Sequence, residues 1–303
     1  MRIEFDAADG QRLAGTWFGA RGPQRAVAVL AGGTGIPHGY YARFAGFLAE
    51  QGIATLTFDY RGIGTSRPAS LSGFRADMAD WGRLDIPAAH REAARRAADV
   101  PLVHIGHSVG GQLLGLLPEP ERVTRALFLN VSTGVLGGLR GSTRLTARVM
   151  FYAVAPLAAA TLGYVPTRAL GLGEDLPAGV ARQWGRWCRH SAYLRVDLDG
   201  PLSDARYDAI RFPIHAAMAT DDAIATPPNV AGLLSLYENA PITEQWIEPS
   251  EVGSAIGHLG LARPLAHRVW EAWVDVLLSP VRSARGATRR RAGAETSWRR
   301  SPR

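Results

Sequence analysis

The sequence predicts an α/β fold with a mostly parallel sheet and helices on both of its faces, because short apolar strands alternate with helical segments along most of the chain. The predicted strands are runs rich in apolar and β-branched residues, at 27–31, 54–59, 102–105, 126–130, 212–220 and 243–247. The predicted helices have apolar residues at three- and four-residue spacing, at 40–51, 77–98, 109–117, 228–238 and 264–278. Strands that are separated by helices pair in parallel, and such a sheet is buried on both faces.

Two segments interrupt this alternation. Residues 2–5 and 12–18, which are joined by an Ala-Asp-Gly turn, predict an antiparallel hairpin at the edge of the sheet. Residues 137–206 are apolar and helical but contain no alternating strands, so we expect a helical cap or lid. This insertion would divide a core that comprises residues 1–136 and 207–280. A chain of 303 residues with 47% apolar content is long enough to bury one main core.

The net charge of +7 is concentrated in the tail, residues 281–303. That segment contains eight arginines and one glutamate, so the first 280 residues carry 26 basic and 26 acidic groups. The tail is small, polar and basic, and its low apolar content predicts disorder. A neutral body argues against a specific nucleic-acid-binding domain, whereas the tail is a candidate for contact with anionic surfaces.

The sequence predicts a cytoplasmic protein without a transmembrane segment. Cys188 is the single cysteine, so no disulfide within the chain requires an oxidising compartment. The first ten residues lack the basic start and apolar run of a secretory signal. The longest apolar stretch, 149–165, is shorter than the roughly 20 residues of a spanning helix and is interrupted by Pro156 and Gly163.

The run Gly106-His107-Ser108-Val109-Gly110 lies between a predicted strand and a predicted helix, which is the context of a nucleophile elbow. In that turn the serine hydroxyl stands above the sheet edge, and the flanking glycines avoid collisions with the neighbouring strand and helix. The backbone N–H of Val109 would help to stabilise an oxyanion. A Gly-x-Ser-x-Gly match also occurs by chance in a glycine-rich chain, so the strand-turn-helix context carries the assignment of Ser108 as nucleophile.

A serine nucleophile needs a base, and His258 is the candidate among the eight histidines. It lies in a loop between the last predicted strand and the last predicted helix, at the same edge of the sheet as Ser108. The other histidines lie within predicted strands or helices, at a helix start or in the insertion. The acid that orients the base should follow a strand between the two, and Asp221 and Asp222 directly follow the strand at 212–220.

These motifs resemble those of the α/β-hydrolase superfamily over nearly all of residues 1–280. The sequences DYRGIGTS (59–66), GHSVGGQ (106–112), DLPAGVARQWGRWC (175–188) and GHLGLAR (257–263) further resemble a bacterial group of α/β-hydrolases of largely unassigned substrate. The resemblance implies the α/β-hydrolase fold with a helical lid. It also implies that Asp222 is the catalytic acid, since Asp222-Ala223-Ile224 is similar to the Asp-x-Ile/Val turn of related enzymes. Asp221 would then cap or solvate the turn.

The second oxyanion donor is expected in the glycine-rich loop at 32–35, where the amides of Gly33 and Thr34 are both candidates. A phosphate-binding loop is the alternative interpretation, but no Gly-Lys-Ser/Thr follows it. No histidine and carboxylate cluster has metal-ligand spacing, so the sequence predicts neither a metal nor a cofactor.

Four other residues have two interpretations each. Asp59 and Arg61 could carry catalytic charge, but we expect them to support the loop after their strand, because the triad leaves no role vacant. Trp184 and Trp187 could line an acyl pocket or form the core of the insertion, which is the more common position of such residues.

The predicted activity is that of a serine hydrolase, an esterase or thioesterase that acts through an acyl-enzyme on a small-molecule acyl substrate, with a hydrophobic acyl group favoured by the apolar insertion. Acyl transfer to another alcohol and perhydrolysis use the same triad and stay open. A binding module of this fold is the non-enzymatic alternative. In a further alternative, the arginine tail tethers the protein to RNA or to anionic lipid.

Overall fold

A computed structural model describes residues 1–279, which contain ten strands and ten α-helices. The strands are β1 Arg2–Asp6, β2 Arg12–Phe18, β3 Ala26–Ala31, β4 Ile53–Phe58, β5 Leu102–His107, β6 Val123–Leu129, β7 Tyr164–Val165, β8 Leu176–Pro177, β9 Ile214–Ala219 and β10 Ile242–Ile247. The α-helices are α1 Ala42–Glu50, α2 Met78–Asp80, α3 Ile86–Arg96, α4 Val109–Gln112, α5 Gly141–Val149, α6 Ala155–Thr161, α7 Ala178–Arg189, α8 Pro227–Leu234, α9 Pro249–Val252 and α10 His267–Leu278. The predicted tail lies outside the described residues.

Shorter helical segments join several of these elements. Two π-helical turns, Trp81–Asp85 and Met150–Val154, connect α2 to α3 and α5 to α6. The 3-10 segments are His38–Tyr41, Gly64–Ser66, Leu114–Leu116, Pro120–Arg122, Leu136–Gly138, Arg168–Leu170, Tyr193–Asp197, Tyr207–Ala209, Gly260–Ala262 and Pro264–Ala266. Within the described chain, no helix has the length and apolar content that crossing a bilayer requires.

The main sheet has eight strands in the order β1-β2-β4-β3-β5-β6-β9-β10. The six strands from β4 to β10 pair in parallel, and the hairpin β1–β2 closes one edge through an antiparallel contact of β2 with β4. The register aligns the carboxyl ends of the central strands: Ala31 pairs with Gly106, His107 with Leu129, and Leu129 with Ala217. The loops that follow these strands therefore begin at the same edge of the sheet. The predicted mostly parallel sheet with an edge hairpin is confirmed.

Helices cover both faces of the sheet, as the sequence predicts. Alternate residues of β3 point to opposite faces, with Val27 and Val29 in one apolar core and Ala28 and Leu30 in the other. The second core is closed by aromatic and aliphatic side chains of α1 and α10, and the first by α3, α8 and the segment after β6. Burial on both faces explains why β3 reads as a continuous apolar run.

Helix α4 ends at Gln112, whereas the sequence predicts a helix to Leu117. Three glycines in this stretch disfavour helix, and two of its carbonyl groups accept hydrogen bonds from side chains instead of helical amides. Tyr237 donates its hydroxyl to the carbonyl of Gly111, and Tyr207 donates to that of Gln112 at 2.7 Å. A Cβ at Gly115 would lie 2.2 Å from the Tyr207 ring, so this tyrosine also occupies the path of a longer helix.

The segment between β6 and β9 contains α5, α6, the two-stranded β7–β8 ribbon and α7. Two of its hydrogen bonds reach the segments that follow β3 and β5. The Glu174 amide donates to the carbonyl of Gly35 at 2.8 Å, and the Tyr193 hydroxyl donates to the Gln112 side chain at 2.6 Å. The segment therefore lies against both the loop after β3 and the turn after β5.

Candidate active site

The strand order reverses between β3 and β5, and the candidate site lies at this reversal. After β3 the chain crosses to β4 on one side, and β5 then pairs with β3 on the other side. In sheets of this kind, the loops that leave two such strands diverge, and ligands bind between them at the carboxyl ends of the strands. Ser108 follows β5, and the glycine-rich loop 32–35 follows β3, so the predicted nucleophile and one of the predicted oxyanion loops lie on adjacent strands.

Ser108 has the backbone conformation of a strained turn, with φ 51° and ψ −114°. The two flanking positions require glycine for the steric reason that the sequence suggests: a side chain would collide with its neighbours. A Cβ at Gly106 would lie 2.5 Å from the amide nitrogen of Gly111, and a Cβ at Gly110 would lie 2.1 Å from the carbonyl oxygen of Ala31. Both contacts are with backbone, so neither can be relieved by moving a side chain. The turn thus packs closely against a strand and a helix, and it leaves the Ser108 side chain partly accessible.

The structure brings Ser108, His258 and Asp222 into one hydrogen-bonded chain. The Oγ of Ser108 lies 3.0 Å from Nε2 of His258, and Nδ1 of His258 lies 2.7 Å from Oδ2 of Asp222. Since an ionised carboxylate only accepts, Nδ1 carries the proton and Nε2 is left to accept from the serine hydroxyl. These three residues are separated by up to 150 positions in sequence.

The Asp222 carboxylate is buried, with 1% of its surface exposed, yet it is held in the ionised form. Burial acts to raise its pKa, but the His258 charge and hydrogen bonds from that ring and from backbone amides outweigh burial and lower the pKa below its usual value. One of these amides is Ile224 N–H, which donates to Oδ1 at 2.7 Å. The second carboxylate, Asp221, does not contact the ring: it accepts the amides of Ile256 and Gly257 at 2.9 Å each. It thus caps the loop that carries His258.

The two candidate amides in the loop after β3 have different environments. Gly33 N–H donates to the buried hydroxyl of Tyr41 at 2.8 Å, so it is already engaged. Thr34 N–H makes no hydrogen bond within residues 1–279, and neither does Val109 N–H. Because α4 has only four residues, its dipole is small, and the Val109 amide itself is the relevant donor.

His107 links this loop to the backbone of the histidine loop. Its Nδ1 accepts from the Tyr41 hydroxyl at 2.7 Å, and its Nε2 donates to the carbonyl of His258 at 2.9 Å. Burial lowers the pKa of His107 to about 3, and the neighbouring His258 adds to this effect. Burial raises the pKa of Tyr41 well above its usual value. Both groups therefore stay neutral, and the chain of hydrogen bonds runs in one direction from Gly33 to His258.

Asn130 joins the strand that precedes the acid to the loop that carries the histidine. It is fully buried at the end of β6 and has φ 47°, a conformation that asparagine tolerates better than most residues. Its Oδ1 accepts the amide of Ala219 at 2.8 Å, and its Nδ2 donates to the carbonyls of Gly257 at 3.0 Å and His258 at 2.9 Å. Tyr41, His107 and Asn130 are not among the residues that the sequence predicts for the site. His107 and Asn130 have a signal in the sequence, a polar residue at the end of a central strand, whereas Tyr41 precedes a helix and has none.

Asp59 and Arg61 support loops and do not reach the triad. Asp59 accepts the backbone amide and Nδ1 of His38 at 2.7 and 2.8 Å, and both the amide and hydroxyl of Thr65. The Arg61 side chain bonds to Asp85 and to Asp9. These interactions with four partner residues hold the loop after β4, in agreement with the structural interpretation of Asp59 and Arg61.

The two tryptophans of α7 have different positions. Trp187 is fully buried and donates to Asp197 at 2.7 Å, so it belongs to the core. Trp184 is only partly buried and packs edge-on against Phe151. Within residues 1–279, no group of three or more histidine, cysteine or carboxylate side chains is arranged to hold a metal ion.

Residues 22–130, which include β3, β4, β5 and the elbow, match the family described as serine aminopeptidase, S33. No curated protein matches the chain in sequence. Many solved structures match its fold at low sequence identity.

Three of these structures are a lipase, an α/β hydrolase and an esterase domain. A soluble variant of monoglyceride lipase from Saccharomyces cerevisiae, in complex with a substrate analogue, is similar with a TM-score of 0.65 and 16% identity over 91% of this chain and 94% of that one. The α/β hydrolase GrgF from Penicillium sp. sh18 has a TM-score of 0.54 and 17% identity, over 91% and 97% of the two chains. The esterase domain of a Rhodothermus marinus protein has a TM-score of 0.54 and 20% identity, over 91% and 96%.

The solved structures cover more than nine-tenths of the chain and share its sheet and helices, and the family match covers the elbow. The chain therefore has the α/β-hydrolase fold.

Proposed function

We propose that the chain is a serine hydrolase that cleaves esters or thioesters through an acyl-enzyme, with Ser108 as nucleophile, His258 as general base and Asp222 as the acid that orients the base. The observation that supports this most directly is the continuous chain of hydrogen bonds, 3.0 Å from Ser108 to His258 and 2.7 Å from His258 to Asp222. Each residue has one role in that chain, and the proton directions are consistent from end to end.

The proposed reaction has two steps. Ser108 Oγ attacks the carbonyl carbon while Nε2 of His258 takes the hydroxyl proton, and the resulting imidazolium is stabilised by the Asp222 carboxylate. The proton then passes to the leaving alcohol or thiol, which departs and leaves the acyl group on Ser108. Water enters, gives its proton to Nε2 and attacks the acyl carbonyl, and the proton returns to Ser108 as the acid is released.

The oxyanion that forms in each step needs two donors. We assign Val109 N–H and Thr34 N–H, because both amides lack a partner within the described chain. Gly33, which the sequence leaves as an equal candidate, already donates to Tyr41. Removal of one such donor typically costs a factor of about 100 to 1,000 in kcat.

We further propose that the insertion, residues 137–206, forms a lid over the site and favours a hydrophobic acyl group. Its support is the contact of Glu174 with the loop after β3 and of Tyr193 with the turn after β5. Met150 and Trp184 of the insertion are partly buried and apolar. Each buried methylene adds about 0.8 kcal/mol, so efficiency should rise about fourfold per methylene from acetyl to medium-chain esters.

Labelling with a fluorophosphonate probe tests the proposed nucleophile. Wild-type protein should form a covalent adduct on Ser108, and Ser108→Ala should lose both the adduct and at least about a thousandfold in kcat/KM on a p-nitrophenyl ester. Ser132→Ala is the matched control, since that buried hydroxyl follows the neighbouring strand and makes only a 3.4 Å contact with the Ile224 carbonyl. Retained turnover in Ser108→Ala, or an adduct on another residue, would contradict the assignment.

A series of p-nitrophenyl esters from acetate to decanoate tests the acyl preference. The proposal expects kcat/KM to increase with chain length and the Trp184→Ala variant to flatten that increase. Highest efficiency on acetate or on charged acyl groups would show that the apolar residues of the insertion serve only its own packing.

A further inference from the structure

The exposed apolar side chains of the described residues are concentrated in one part of the insertion, which we call the arm, residues 141–162. The arm comprises α5, the π-helical turn Met150–Val154, α6 and Leu162. Of eight large hydrophobic residues that are strongly exposed, five lie in it: Leu145 (67% exposed), Val149 (52%), Tyr152 (63%), Leu157 (67%) and Leu162 (45%). Two more, Leu170 and Leu172, follow within ten residues. The core of the protein therefore leaves one helical surface uncovered.

These apolar residues form a stripe and are not scattered. Leu145, Val149, Tyr152 and Pro156 follow the spacing of four, three and four residues that places side chains on one face of a helix. All four are exposed, while Phe151 and other residues on the inner side are buried. Helix α5 buries none of its nine residues. The arm thus has a packed inner side and an exposed, apolar outer side.

The charge of the arm has one sign. Residues 122–173 contain no aspartate or glutamate. Arg144 and Arg148 lie on α5 beside the apolar stripe, are exposed, and make no ion pair within residues 1–279. Arg189 of α7 also lies against the arm, with its guanidinium 5.4 Å from the Tyr152 ring. An exposed apolar stripe bordered by unpaired arginines is the pattern of a helix that lies in a lipid interface.

A groove of about 460 Å³ extends this surface between α6 and α7. Pro156 and Ala160 of the arm line one side of it. The other side carries Arg182, Arg186 and Arg189. Arg186 is paired with Asp197, so Arg182 and Arg189 are the arginines of this groove that make no ion pair within residues 1–279.

We propose that the arm docks the protein on an anionic lipid bilayer, with Leu145, Val149 and Tyr152 at the boundary of headgroups and acyl chains and Arg144 and Arg148 beside lipid phosphates. Charge decides between the occupants of this face. A second copy of the chain in a symmetric pair would bring the same arginines together, which repel. The tail of the chain contains eight arginines and one glutamate, so it too would be repelled. An anionic bilayer offers both negative phosphates and hydrocarbon to one helix.

Vesicle flotation of the full-length protein tests the proposal. We expect binding to phosphatidylcholine vesicles that contain about 30 mol% phosphatidylglycerol, little binding to phosphatidylcholine alone, and weaker binding as salt increases. The Ser108→Ala variant should bind like wild type, because docking does not depend on the proposed hydrolase activity. Equal binding to both kinds of vesicle, or to neither, would overturn the proposal. Absence of fluorophosphonate labelling in wild type would instead count against the proposed function alone.

Two double variants separate the arm from the overall positive charge. Arg144→Gln with Arg148→Gln should weaken binding about twenty-fivefold, since each arginine near an anionic surface contributes about fivefold. The matched control, Arg21→Gln with Arg122→Gln, removes two exposed arginines outside the arm and should weaken binding by only about twofold. Equal losses in the two pairs would show that the arm has no special role and that net charge drives binding.

A third variant tests the apolar contact. Leu145→Ser with Val149→Ser should reduce binding at least about tenfold at the same net charge, with fluorophosphonate labelling retained as evidence of an intact fold. Unchanged binding would overturn insertion of the stripe. Light scattering tests the remaining occupant: a wild-type dimer that dissociates in this double variant would show that a second copy covers the face, and this too would overturn the proposal.

Discussion

Replacement of Asp222 by asparagine should lower kcat by roughly four orders of magnitude, which corresponds to about 5.5 kcal/mol in the activation barrier, while the protein stays folded. The contacts of Asp222 determine the orientation of the new amide group. Ile224 N–H needs an acceptor at the Oδ1 position, so the asparagine oxygen takes that place and its NH2 group faces His258. The NH2 group can only donate, and it therefore requires Nδ1 to accept. The ring proton moves to Nε2, which can then no longer take the proton of Ser108.

The neighbouring Asp221→Asn is the control, because it changes the same charge one residue away. Asp221 is exposed and accepts two amides of the loop that carries His258. Its asparagine variant keeps one acceptor and loses the other, which costs about 1–3 kcal/mol in the free energy of unfolding or less where water replaces the bond. We expect kcat to fall no more than about tenfold, since the His258 tautomer is unaffected.

The assay is kcat on a p-nitrophenyl ester, corrected for the fraction of active sites by titration, with circular dichroism of both variants. A reversed ranking would show that the acid is Asp221 in solution. A small effect of both substitutions would refute the reasoning more broadly, since it would mean that no carboxylate holds the tautomer of the base.

Three further predictions concern the residues around the triad. Asn130→Asp, which keeps the shape of the side chain but cannot donate to the two carbonyls of the histidine loop, should lower kcat with KM nearly unchanged and lower the melting temperature; a fall in melting temperature alone would limit Asn130 to a structural role. Tyr41→Phe removes a donor to His107 and should cost about 1–3 kcal/mol in the free energy of unfolding by urea titration, and no loss would mean that water replaces the hydroxyl. Stability should also fall with acid: burial lowers the pKa of His104 to about 4 and of His107 to about 3, so the unfolded chain binds more protons below about pH 6.5. The free energy of unfolding, measured by urea titration, should therefore decrease from pH 6.5 to pH 4, by up to about 1.4 kcal/mol per pH unit for each histidine, and a flat profile would contradict neutral burial.

The sequence predicts most of the fold because its signals are local. Each predicted strand of the sheet is present with ends that differ by at most three residues, since apolar runs and the glycines that bound them are properties of neighbouring residues. Gly106 and Gly110 are recognisable for the same reason, because the elbow requires a strand, a tight turn and a helix in immediate succession. The helix predicted at 228–238 ends at Leu234, and the insertion contains the β7–β8 ribbon, which the sequence does not predict. The largest error is the length of the helix after Ser108. Its end depends on Tyr207 and Tyr237, which are about a hundred residues away and leave no trace in the local pattern.

The sequence by itself also determined which residues could form the triad, through their order and their places at the ends of strands. Only the tertiary structure decided between close alternatives. It directs the Asp222 carboxylate toward the His258 ring and the Asp221 carboxylate toward backbone amides of the histidine loop. The Tyr41 hydroxyl accepts the Gly33 amide but not the Thr34 amide. It also brings the side chain of Asn130 to the histidine loop. Such choices depend on side-chain directions and on contacts between segments remote in sequence, which follow from packing and not from any periodicity of the chain.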